Sequence, residues 1–158
     1  MVKTVLAMYE RAVKALNLLQ SPMLLAVRLY WGVQFAQTGW GKLHNLAGFT
    51  HVFQNLNIPF PGINAPFVAG LELVGGILLI LGLFSRPIAF LLACDMMVAY
   101  IVADRDALLA FFKDPDTFLA ASPYTFLFAS LMILIFGAGY FAVDTLIARR
   151  FKESESSR

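Results

Sequence analysis

Arg28, Glu72 and Asp95 each fall inside a long apolar run of the 158-residue chain. An ion near the middle of such a run costs about 2.5–3.5 kcal/mol to insert into hydrocarbon. Groups that costly face protein or water, pair with one another, or handle protons and ligands. Neighbouring residues supply further donors. Unrolled at 100° per residue, the first run sets Arg28, Gly32, Phe35, Gly39 and Lys42 on one stripe and Tyr30, Gln34, Gln37 and Gly41 on a second. Leu29, Val33, Ala36 and Trp40 are left for lipid. Two polar-or-small stripes mark this helix as the most enclosed one or as the carrier of an oligomer contact. Glu72 shares its face with Gly75, Gly76 and Leu79, where glycines admit the close approach by which membrane helices pack.

Depth then predicts partners. At 1.5 Å per residue, Arg28 lies about 8 Å and Asp95 about 12 Å from the inner edge, within reach of an arginine stem. Glu72 lies about 9 Å below the outer edge, where Lys42 reaches down and Gln34 or Gln37 can donate. The expectation is two polar layers: Arg28 with Asp95 inward, and Glu72 with Lys42 or the glutamines outward. Each residue also has a plainer reading. Arg28 snorkels to the interface, and Glu72 is helix glue rather than a proton or ligand site. Cys94 reads as a small buried hydrophobe, since no His or Lys is near it in sequence. Met96 and Met97 read as core filler. His44 and His51, seven apart, fit no compact metal motif, and no histidine lies within an apolar run, which excludes bis-histidine haem. No metal site is expected, and no cofactor is covalently bound.

The elements that position these groups follow from composition. The hydrophobic share is 59% and the charged share 14%, against roughly 45–50% and 25% in soluble domains. Such a chain is not disordered, and alone in water it would expose large apolar patches. A formal charge of +2 leaves no basic stripe for nucleic acid. A single cysteine excludes an internal disulfide or a CxxC pair. The reading is a membrane protein whose first partner is the bilayer.

Four windows are long enough to cross about 30 Å of hydrocarbon: about 23–40, 66–84, 87–103 and 125–143, continuous rather than alternating and therefore not barrel strands. Residues 1–20 carry Val5, Leu6, Tyr9, Val13 and Leu16 opposite Lys3, Glu10 and Lys14. They read as an amphipathic helix lying in the interface, not as a signal peptide. Eight Lys and Arg fall on the N-terminal side of the membrane against three on the other, which predicts N-in and C-in. The fold class is all-α, an integral membrane four-helix bundle over 21–147, followed by a solvated basic and polar tail at 148–158. The tight Phe84-Ser85-Arg86-Pro87 turn makes spans two and three antiparallel neighbours. The outer loops at about 41–65 and 104–123 are longer, the first broken at Asn57–Gly62.

Arg28-x3-Gly32-x2-Phe35-x3-Gly39-x2-Lys42 resembles the first-helix signature of the DoxX family of small four-helix bacterial membrane proteins. Glu72-Leu73-Val74-Gly75-Gly76, followed by Leu81-Gly82-Leu83-Phe84-Ser85-Arg86, resembles that family's second helix and tight turn. Of the family's closing segment, roughly Gly-Pro-Gly-Arg-x-Ser-x-Asp, only Gly137, Gly139 and Asp144 are matched; Ala138, Tyr140 and Ala142 depart from it. The resemblance covers about residues 22–145 and implies a bacterial inner-membrane location. It also implies kinship with the membrane subunits of a thiosulfate:quinone oxidoreductase and with members of redox-stress complexes. On that footing the expectation is an anchor or quinone-facing subunit of a redox complex, supplied with electrons by a partner protein. Arg28, Gln34, Gln37, Lys42, Glu72 and Asp95 would line the quinone pocket, with Glu72 or Asp95 relaying protons. The alternative is a non-catalytic scaffold or a bundle that handles small solutes or lipid. Either could be a homo-oligomer.

Overall fold

The computed structural model describes residues 2–156. Among them the secondary structure is all helical: α1 (Val2–His44), α2 (Leu46–Asn55), α3 (Pro61–Leu81), α4 (Ser85–Val102), α5 (Arg105–Leu109), α6 (Pro115–Ala120), α7 (Pro123–Phe136) and α8 (Val143–Ser156). Prolines open α3, α6 and α7, where a first-turn N–H has no partner to lose. Gly82 ends α3 in the left-handed region at φ 69°.

The four longer helices α1, α3, α4 and α7 close a ring in which α1 and α4 each pack on both α3 and α7. The α1–α3 seam is tight because both backbones are bare. A Cβ on Gly76 would sit 2.5 Å from the Ala36 nitrogen and the Gly32 oxygen, and one on Gly39 would collide with the Leu73 nitrogen. Aromatic edges join α1 to α7, with Phe126 4.7 Å from Phe35 and 5.1 Å from Trp31, centroid to centroid. Leu79, Leu92, Met96, Tyr100, Leu127 and Ile133 fill the core. Tyr100 donates to the Phe118 oxygen at 2.8 Å and stacks on its ring, which ties α6 to the end of α4. α3 and α4 are long and apolar enough to cross a membrane; α7 is apolar but shorter.

Several expected boundaries move. From Val2 on, the expected interfacial segment and the span 23–40 are one helix, α1, which passes through Pro22. Proline deletes one backbone hydrogen bond and crowds the carbonyl four residues back; Pro22 stands at an exposed position behind an exposed Leu18, where that carbonyl can be solvated. The expected fourth span is helical only to Phe136. Residues 137–142 are unwound, with Gly137 at φ 80° and Gly139 at φ 76°. The outer loops are mostly short helices, and the break between α2 and α3 falls where Asn57 and Phe60 take positive φ. The tail expected at 148–158 continues the helix α8 as far as Ser156. Cys94 is exposed rather than buried, and Met97 is exposed while Met96 is in the core.

Candidate functional site

Glycines on α3 make room for a carboxylate. Glu72, 2% exposed, points from α3 toward α1, where Lys42 Nζ donates to its Oε1 at 2.6 Å. Lys42 is held from the other side by the Phe49 ring of α2, 4.9 Å below its ammonium. One Lys–Glu hydrogen bond satisfies half the carboxylate. Among the described residues, Glu72 Oε2 is buried with no hydrogen-bond partner, and so is Asp95 Oδ2 on α4. Asp95 lies within electrostatic range of both Glu72 and Lys42. Beside the ion pair is a cavity of about 230 Å³, lined by Thr38, Lys42, Glu72, Met96, Ala99, Asp104 and Phe126 among others. This combination is one cation, three carboxylates (two of them, Glu72 and Asp95, with a buried oxygen to spare), and an apolar wall with an aromatic ring. It can accept a small polar ligand or hold a proton between acids.

A second polar cluster lies at the opposite end. Arg28 is fully buried and does not meet Asp95: Nη1 donates to the Ala138 oxygen at 2.7 Å and Nη2 to the Phe141 oxygen at 2.8 Å. The reason is geometric. α1 lies against α3 and α7, whereas Asp95 is on α4, and the unwound stretch after α7 offers two bare carbonyls that a guanidinium fork matches. Gly82 is required here, since a Cβ on it would overlap Arg28 Nη1. Asp144 completes the cluster. Its Oδ1 and Oδ2 accept from the Phe84 and Ser85 amides at 2.9 Å each, capping α4, and its own amide donates to the Gly82 oxygen at 3.0 Å. Its charge also acts on Arg28.

The six residues expected to share one pocket are therefore divided. Lys42 and Glu72 line the outer cavity, Asp95 adjoins them, and Arg28 belongs to the inner cluster. Gln34 is half-buried and Gln37 exposed on the outer side of α1, and neither bonds to Glu72. Sequence reasoning matched Asp144 to the closing segment but gave it no role, and it missed the carbonyls of Ala138 and Phe141. Two glycines around a short non-repetitive stretch, followed by an acid, were the available signal.

A family model described as DoxX matches residues 23–105, more than half the chain, and the chain belongs to the DoxX family. "Putative oxidoreductase CatD" of Bacillus subtilis (strain 168) is 26% identical over 133 residues, covering 84% of this chain and 92% of that relative. No solved structure matches. The family is membrane-associated, in keeping with the two helices long and apolar enough to cross.

Proposed function

For a DoxX-family chain with this geometry we propose an integral protein of the bacterial inner membrane with four crossings, N-in and C-in. It serves as the anchor or quinone-facing subunit of a redox complex handling sulfur, thiol or oxidative-stress chemistry. α3 and α4 supply two crossings; α1 from about residue 23, and α7 with its unwound extension, supply the others. Irregular backbone at membrane depth survives only where its polar groups are satisfied inside protein, and the Arg28 fork does that for the carbonyls of Ala138 and Phe141.

The observation that carries the redox part is the spare Glu72 oxygen beside a lysine and a 230 Å³ cavity. A quinone headgroup is a flat ring with two carbonyl acceptors. The Lys42 ammonium is the donor it would need, and Phe126 and Met96 the apolar walls. A quinone accepts two electrons and two protons to become a quinol. In this reading a partner protein gives the two electrons, and Glu72, backed by Asp95, relays the two protons taken up from water. The relative's name as an oxidoreductase supports the class of chemistry.

Titration of the protein in lipid nanodiscs with menadione, followed by tryptophan fluorescence, tests the site, because Trp31 touches Phe126 on the cavity wall. Saturable quenching is expected, with Kd raised about tenfold by Lys42→Met, the size of one lost hydrogen bond to a charged group. Unsaturable quenching identical in the variant overturns the quinone site.

A non-catalytic scaffold or solute- or lipid-handling bundle is the second reading, favoured by Arg28 and Asp144 both being spent on the chain's own backbone. Glu72→Gln separates the two. A scaffold keeps its cellular phenotype with the amide and loses expression only with Glu72→Leu, whereas a proton donor fails with the amide.

A further inference from the structure

α1 is far longer than a crossing requires. Its 43 residues span about 65 Å, and only the C-terminal half has the ring of α3 and α7 against it. The face turned away from that ring is patterned. In the N-terminal half it carries Val5, Tyr9, Leu16 and Leu19, all more than 60% exposed. In the C-terminal half it continues through Met23, Ala26, Tyr30, Val33, Gln37 and Trp40, every one exposed. From Leu16 onward the steps alternate three and four residues without a break, and the step from Tyr9 to Leu16 is a full seven. A period of 3.5 is the spacing of a left-handed coiled-coil seam; here it runs unbroken from Leu16 to Trp40, and Tyr9 and Val5 fall in the same register.

We infer that α1 pairs with the α1 of a second copy of this chain as a parallel two-stranded coiled coil, running through the membrane and on into the inner aqueous phase. Four observations select that occupant. The 3.5-residue repeat suits another helix of the same repeat, whereas a helix lying flat at an interface follows a 3.6-residue stripe. Because α1 is continuous through Pro22, residues 2–20 cannot lie flat while 23–44 stand upright. With Leu16 at position a, the charged Glu10, Arg11 and Lys14 fall at b, c and f, so no like charges flank the seam to oppose self-pairing. The one amide in the seam, Gln37, is an a position; an amide both donates and accepts, so it is satisfied by its own copy at the same depth, with Gln34 beside it. Two copies inserted with one topology place their α1 helices parallel, which brings each seam residue to its own counterpart.

The test is disulfide trapping in isolated membranes, in a Cys94→Ala background. Leu19→Cys occupies the seam and Lys14→Cys the far face; both side chains are exposed, so neither substitution disturbs the core. On mild oxidation the Leu19→Cys protein is expected to form a self-dimer at least tenfold faster than the Lys14→Cys protein, and Leu16→Glu added to it should abolish the difference. Equal rates at the two positions, or capture of Leu19→Cys only on a different polypeptide, would overturn the self-pairing. Either result leaves the quinone titration unaffected.

Discussion

At the scale of single residues, the cost of burying charge sorts the ion pair from the fork. Lys42 and Glu72 are each other's compensation: Glu72 is almost wholly buried and, among the described residues, its hydrogen-bond partner is Lys42, 2.6 Å away. Removing one member of a buried pair leaves an uncompensated charge, worth about 3–5 kcal/mol. Lys42→Met should therefore lower the thermal unfolding temperature in detergent far more than Lys42→Met combined with Glu72→Gln. A double mutant no more stable than Lys42→Met would refute the coupling. Arg28 works differently, through direction as much as charge. Lysine keeps the charge but cannot present two parallel N–H bonds, so Arg28→Lys should cost about 1.5–3 kcal/mol, one charged hydrogen bond. The same unfolding measurement reads it, and an unchanged midpoint would mean that the fork is dispensable. Depth along the sequence made the Lys42–Glu72 contact legible. It could not reveal Arg28's partners, because they are backbone carbonyls exposed only where a helix has come undone.

At the scale of elements, the glycines decide which helices meet and how closely. Gly39 on α1 faces the Leu73 backbone with no space for a methyl group, while Gly70, one turn along α3, has nothing within 4 Å of where a Cβ would stand. Gly39→Ala should push α1 from α3 at a cost of about 1–3 kcal/mol, and should also disturb Lys42, less than a turn away on the same face. Gly70→Ala should be neutral or stabilising, since it removes helix-interior glycine flexibility. Matched unfolding curves for the two proteins check the contrast, and equal losses would count against the seam as the tight contact. Apolar runs and the Phe84–Pro87 turn made α3 and α4 readable to within a few residues. The ends of α1 and α7 were not readable. Proline and glycine signal a possible break, and whether the chain breaks depends on partners distant in sequence: Arg28 stabilises the unwinding at 137–142, and solvent tolerates Pro22 without a break.

At the scale of the whole molecule, the two polar clusters lie at opposite ends of the helical ring, and the charges outside it are unevenly shared. Arg86, Arg149 and Arg150 lie at the end that holds the Arg28–Asp144 cluster, with Lys14 on the α1 arm beyond it; Lys113 lies at the end that holds the Lys42–Glu72 cavity. Positive charge is retained on the cytoplasmic side, so the four crossings proposed above would put Arg149 inside and Lys113 outside. Impermeant maleimide labelling of spheroplasts, again without Cys94, should modify Lys113→Cys at once and Arg149→Cys only after permeabilisation. Labelling of both from one side would mean that α7 does not cross, and would overturn the four-crossing topology. The asymmetry has a functional consequence if the labelling comes out as expected. The cavity with the spare carboxylate oxygens then opens toward the outer leaflet, and the long arm of α1 reaches into the cytoplasm. A donor acting on the cavity through its mouth would have to approach from outside, and Lys42, at that mouth, would meet it first.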